Sequence, residues 1–80
     1  MRVRVKLFAT LKMFAPVEGL SGTPFEMDLP EGLTLQALCN QLKLPPEEVK
    51  LTFVNGRAQP LEFELKDGDE VGIFPPVGGG

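Results

Sequence analysis

The residues best suited to chemistry stand together at the end of the sequence, in Phe74-Pro75-Pro76-Val77-Gly78-Gly79-Gly80. Glycine has no Cβ, so Gly78, Gly79 and Gly80 can take almost any backbone conformation and gain little by packing. Such an end is expected to be mobile and able to thread a channel that excludes side chains. The one reactive group it offers is the α-carboxylate of Gly80. Pro75 and Pro76 cannot extend a sheet ladder and favour extended polyproline geometry. The reading is a strand that stops, a stiff exit and a tip carrying a carboxylate.

Few other residues offer chemistry. There is no histidine, so neither a His-based triad nor a His metal site is available. No Gly-x-x-x-x-Gly-Lys-Ser/Thr loop is present to cradle phosphates. Cys39 is the single cysteine, which rules out an internal disulfide and a four-thiolate iron–sulfur cluster and suits a reducing, cytoplasmic setting. It lies on an apolar helical stripe, which reads as packing rather than as a relay thiol. Glu47-Glu48 and Asp67/Asp69 read as helix-start and turn residues.

Eighty residues make one small domain. The predicted folded body spans 1–74 and the extended tail 75–80. No apolar run approaches a membrane span, so no membrane partner is expected. The net charge is −3, but residues 1–12 carry Arg2, Arg4, Lys6 and Lys12 and no acid, which leaves −7 on the remainder. An acidic chain of this kind is not expected to bind nucleic acid.

The elements that must position the tail follow from periodicity. Arg2 to Leu7 alternates, with Val3, Val5 and Leu7 on one face and Arg2, Arg4 and Lys6 on the other, as in a half-buried strand. Ala9 to Ala15 reads as a short helix with Thr10 as N-cap and Pro16 as its stop. Residues 17–24 read as a loop. Phe25 to Leu29 alternates again. Thr34 caps a helix over Leu35 to Lys43, with Leu33 and Leu38 forming a hydrophobic staple. Leu35, Leu38, Cys39 and Leu42 form its core stripe, and Pro45 is its stop. Pro46 to Val49 reads as a short turn and Leu51 to Val54 as a strand. Asn55-Gly56 predicts a type I′ hairpin turn with Arg57 and Ala58 returning. Pro60 to Leu65 is less regular, with Leu61, Phe63 and Leu65 able to point inward. Lys66 to Asp69 is a turn before the last strand, Glu70 to Phe74.

One main helix must then cover one mixed sheet, because only one face of each strand is apolar. In the last strand Val71 and Ile73 point inward and Gly72 and Phe74 outward. An outward aromatic at the root of the tail predicts a partner contact; burial under the tail itself is the alternative. For Arg2, Arg4 and Lys6 two readings stay open, a solvated strand face and a docking strip.

This order of elements resembles the ubiquitin-like β-grasp fold, an α+β architecture. Asp67-Gly68-Asp69-Glu70-Val71, then Phe74-Pro75-Pro76-Val77, then Gly79-Gly80, resembles the MoaD-like branch of the MoaD/ThiS sulfur carriers, the small subunit of molybdopterin synthase. Lys6-Leu7-Phe8-Ala9 and Val54-Asn55-Gly56 are similar to the same branch. Gly78 departs from it, alanine or serine being more usual there.

The resemblance implies a sulfur carrier that is not an enzyme by itself. Gly80 would be adenylated and then bear a thiocarboxylate, with Gly79 the other half of the diglycine and Gly78 next to it in the tail. An E1-like (MoeB-like) adenylyltransferase would use ATP to activate Gly80, and a sulfur donor would complete the loading. The large (MoaE-like) subunit would receive the tail, with Phe74, Pro75, Pro76, Val77 and Arg4 at the docking face. No cofactor would be bound by the carrier. Two alternatives stand beside this one: a thiazole-type carrier, and a ubiquitin-like modifier that ends in an isopeptide bond.

Overall fold

Alternation of valine and leucine with arginine and lysine makes Arg2–Leu7 a strand, β1, whose Val3, Val5 and Leu7 are buried. A computed structural model describes residues 1–15 and 24–76. The further strands are β2 (Phe25–Asp28), β3 (Leu51–Val54), β4 (Arg57–Ala58) and β5 (Glu70–Phe74). They form one sheet in the order β2-β1-β5-β3-β4, with β1 and β5 parallel and the other pairs antiparallel. Its inner face packs on the one α-helix among the described residues, α1 (Leu35–Gln41), through Leu35, Leu38 and Cys39. This is the α+β, mixed-sheet architecture that the strand faces predict. The expected loop at 17–24 and the stop at Pro16 lie mostly or wholly outside the described residues.

The ends of α1 show what local sequence decides. At its start the Thr34 Oγ1 accepts from the Ala37 N–H at 3.2 Å, the predicted cap. Two further helix-start amides would otherwise lack acceptors. The irregular stretch before Leu65 supplies them: the Leu35 N–H donates to Phe63 O at 3.0 Å and the Gln36 N–H to Leu61 O at 2.9 Å.

At the other end, the helix stops two residues short of the predicted Lys43, and Pro45 is not the cause. Lys43 takes a left-handed φ of 59°. Its N–H donates to Asn40 O at 3.0 Å, and the Leu44 N–H donates to Cys39 O at 3.0 Å. That pair of bonds is a Schellman motif, with buried Leu44 as its apolar anchor. Lysine occupies the position that glycine usually marks, which is why the stop was hidden.

The segment predicted as a short helix from Ala9 is a 3-10 helix, Ala9–Phe14, that buries Leu11. Thr10 is not its cap. Phe8 holds that position without a side-chain bond, because Ala9 turns into a left-handed φ of 53° straight after the strand. Pro46–Glu48 forms a second 3-10 helix with Glu47 and Glu48 in its first turn.

The Asn55-Gly56 turn behaves as its sequence predicts, with φ of 53° and 81°. Asn55 also reaches across the sheet. Its Nδ2 donates to Asp69 Oδ1 at 2.9 Å and its Oδ1 accepts from the Glu70 N–H at 2.9 Å. Asp69 is buried, and its Oδ2 accepts from the Lys66 N–H at 2.8 Å. Asp67 Oδ1 accepts from the Arg2 N–H at 2.7 Å. The two turn aspartates therefore pin the start of β5 to β1 and to the β3–β4 turn.

Candidate functional site

Every second residue of β5 faces away from α1, so Gly72 and Phe74 stand on the outer face of the sheet. The register fixes their neighbours. Lys6 and Phe53 flank Gly72, and Leu51 flanks Phe74. Phe8 follows β1 and donates its N–H to Ile73 O at 3.1 Å, which brings it beside Phe74.

The rings form a cluster over Gly72. Phe8 and Phe74 stack with centroids 3.9 Å apart and planes 10° off parallel, and Phe53 meets Phe74 edge-on at 5.5 Å. The Lys6 Nζ lies 5.0 Å from the Phe8 centroid, in cation–π range. A Cβ placed on Gly72 would stand 3.4 Å from Phe8 Cε1 and 3.6 Å from Phe74 Cε1. Both are ordinary contact distances, so the two rings rest over Gly72 without requiring that it be glycine. The result is a shallow groove of about 370 Å³ lined by Phe8, Phe53, Phe74 and Gly72, with Arg4, Lys6 and Glu70 among its polar lining. Leu51 extends the apolar surface and is 46% exposed.

The outward placement of Phe74 agrees with the alternation in the sequence. Phe8 entered the sequence reading only within the Lys6-Leu7-Phe8-Ala9 motif, and Phe53 was given no face, because Leu51-Thr52-Phe53-Val54 carries apolar residues on both parities. What alternation does not carry is the register that sets Phe53 opposite Gly72 and brings Phe8 alongside Phe74.

The charged strip meets acids on the neighbouring strand. Arg2 pairs with Asp28 at 3.0 Å and Glu26 at 3.5 Å, and Arg4 pairs with Glu26 at 3.5 Å. The hydrogen bond and charge of Arg2 hold the Asp28 carboxyl below the usual carboxylate range, and Asp28 in turn raises Arg2. All these side chains are well exposed, so the pairs add little to stability. The β1 cations are therefore largely matched by β2 acids, and Lys6 has no carboxylate partner among the described residues.

Beyond the ring cluster, Pro75 is buried and Pro76 exposed. Val77, Gly78, Gly79 and Gly80 lie outside the described residues. Cys39 is 3% exposed in the core, and burial pushes its thiol up to about 11. It is neutral at ordinary pH and is shielded from any sulfur acceptor, as expected of packing. No helix among the described residues is long and apolar enough to cross a membrane.

A mixed sheet of this strand order wrapped on one helix is the ubiquitin-like β-grasp fold, and solved structures agree. A chain described as molybdopterin converting factor, subunit 1, from Pyrococcus furiosus is 35% identical, with a TM-score of 0.72 over 95% of this chain and 98% of that one. SAMP1 from Haloferax volcanii is 23% identical, with a TM-score of 0.71 over 100% of both chains. The complex of subunits 1 and 2 of the molybdopterin-converting factor from Helicobacter pylori contains a chain 24% identical, with a TM-score of 0.61 over 100% of both. No curated protein sequence matches significantly. The ThiS family matches residues 5–80, and the chain belongs to that family, the ThiS/MoaD group of small β-grasp domains.

Proposed function

We propose that the protein is a sulfur carrier that acts as the small subunit of molybdopterin synthase. The observation that carries this is the 35% identity to the Pyrococcus furiosus subunit across 95% of the chain. The run from Asp67 through Phe74-Pro75-Pro76-Val77 to Gly79-Gly80 supports it. The family match, which continues to Gly80, supports the sulfur-carrier part of the reading.

On this reading the Gly80 carboxylate attacks the α-phosphate of ATP on an E1-like partner and releases pyrophosphate. A carboxylate is a poor electrophile, and the adenylate supplies a leaving group. Sulfur from a donor displaces AMP and leaves a thiocarboxylate, a strong soft nucleophile. The tail then enters the large subunit and gives its sulfur to a pterin precursor. Gly79 and Gly78 present no side chain to obstruct that passage, and Pro75-Pro76 aims it. The carrier itself binds no cofactor and works in the cytoplasm, where ATP is at hand.

The face around Phe74 is the proposed seat of the large subunit. In the Helicobacter pylori structure a chain of this fold is found in complex with subunit 2, which supports a partner of that kind here. Intact mass of the protein from its native host tests the reading. Oxygen-to-sulfur exchange on free protein is expected. Attachment to larger proteins would favour a modifier instead. Co-purification with a thiazole-forming enzyme in place of the large subunit would favour the thiazole pathway.

A further inference from the structure

The outer face holds one arrangement that docking alone does not require: Phe74 is braced before any partner arrives. Phe8 stacks on one side of its ring at 3.9 Å and Phe53 meets it edge-on at 5.5 Å. Both rings lie over Gly72, with Phe8 Cε1 and Phe74 Cε1 3.4 and 3.6 Å from where its Cβ would stand. The Phe74 carbonyl also accepts from the Lys50 N–H at 2.9 Å, which fixes the backbone at the root of the tail.

We infer that Phe8 is a positioning residue for tail transfer, acting through Phe74. It comes from the opposite end of the chain. The left-handed turn at Ala9, φ of 53°, sends the backbone away immediately after it and leaves the Phe8 ring beside Phe74. Lys6 holds the Phe8 ring through a cation–π contact at 5.0 Å. The column Lys6–Phe8–Phe74 therefore keeps one Phe74 rotamer. A ring held in its docking pose loses less freedom on binding, and Pro75-Pro76 leaves from that fixed point. The inference rests on the proposed docking of the large subunit at this face, but the bracing is a property of the free carrier and is tested there first.

The experiment uses the full chain with Phe8→Leu, which keeps an apolar side chain and removes the stack, and with Phe8→Tyr, which keeps the stack. In the free proteins, three-bond couplings report the χ1 of Phe74, and ring-current shifts report its ring over Gly72. Native protein and Phe8→Tyr should show one staggered rotamer and a shifted Gly72 Hα. Phe8→Leu should show averaged couplings and a Gly72 shift moved toward its random-coil value. A single unchanged Phe74 rotamer in a folded Phe8→Leu protein overturns the inference.

The second arm titrates the host's large synthase subunit with native protein, Phe8→Leu, Phe74→Ala and the double variant. Phe8→Leu should weaken binding by about threefold to tenfold, the range of an aromatic pair. It should have almost no effect once Phe74 is alanine, because the two then act as one unit. Equal loss in both backgrounds would make Phe8 an independent contact and overturn the positioning role. If native protein fails to bind the subunit while the rotamer result holds, the proposed partner is wrong and the brace stands.

Discussion

At the scale of single residues, two side chains that sequence reasoning had to weigh have separate physical fates. Cys39 is buried on the stripe of α1, and its thiol is raised to about 11 from 9.0 by burial. Cys39→Ala should cost on the order of 1 kcal/mol through a small cavity, and sulfur loading should persist. The sign of its pH dependence follows from the raised value. Below about pH 9 the thiol is protonated in both folded and unfolded chains. Between 9 and 11 only the unfolded chain ionises, so native stability declines there relative to the variant. The gap in Tm between native protein and Cys39→Ala should therefore narrow as pH rises from 9 toward 11. A constant gap would mean that the thiol is exposed in solution, and loss of loading in the folded variant would make Cys39 a relay thiol. Phe74 sits at the centre of the outer cluster. Phe74→Ala should weaken binding to the large subunit by about 2 kcal/mol or more, the range of a central aromatic anchor. A titration with unchanged affinity would move docking to another face.

At the scale of elements, the helix ends and turns are where local sequence speaks or fails to. Thr34 and Asn55-Gly56 announced themselves because their chemistry is local: a hydroxyl one turn from an amide, and two residues that tolerate positive φ. The helix stop was illegible because Lys43 takes the left-handed position, φ of 59°, that glycine usually fills. Lys43→Gly should therefore stabilise the protein by about 0.5–1 kcal/mol, the left-handed penalty exceeding the extra entropy of glycine. A rise in the urea midpoint at constant m-value would show it. The aromatic cluster was half legible. Alternation gave the outward face of Phe74, whereas its neighbours depend on pairing between strands far apart in sequence. The Asn55–Asp69 bridge has the same non-local origin, and its loss is expected to be severe. Asn55→Ala removes two hydrogen bonds at 2.9 Å, one of them to a buried carboxylate, and puts alanine at φ of 53°. A loss of about 2–3 kcal/mol in the same denaturation experiment is expected. A smaller effect would mean that water replaces Asn55 at Asp69.

At the scale of the whole molecule, charge separates along the chain and is then partly recombined by the fold. Residues 1–12 carry four cations and no acid in a protein of net charge −3. The β1–β2 pairing sets Arg2 opposite Asp28 and Arg4 opposite Glu26, so the strip is muted on its β2 side. Toward β5, Arg4 and Lys6 still border the aromatic groove. A partner with acids around its own apolar patch would be steered to this rim. Such steering changes association rate more than the lifetime of the complex. Arg4→Glu tests it. The change reverses one charge at the rim and sets the new acid between Glu26 on β2 and Glu70 on β5, at a stability loss of about 1–2 kcal/mol. Association with the large subunit should slow at low salt while dissociation stays nearly constant. The difference should shrink as the Debye length falls from about 30 Å at 0.01 M to about 8 Å at 0.15 M salt. Stopped-flow mixing at those two salt concentrations measures both rates. A change confined to dissociation would place Arg4 in the desolvated centre of the contact. No change in either rate would return the strip to what Glu26 and Asp28 already make of it, a ladder of solvated pairs that guards the sheet edge.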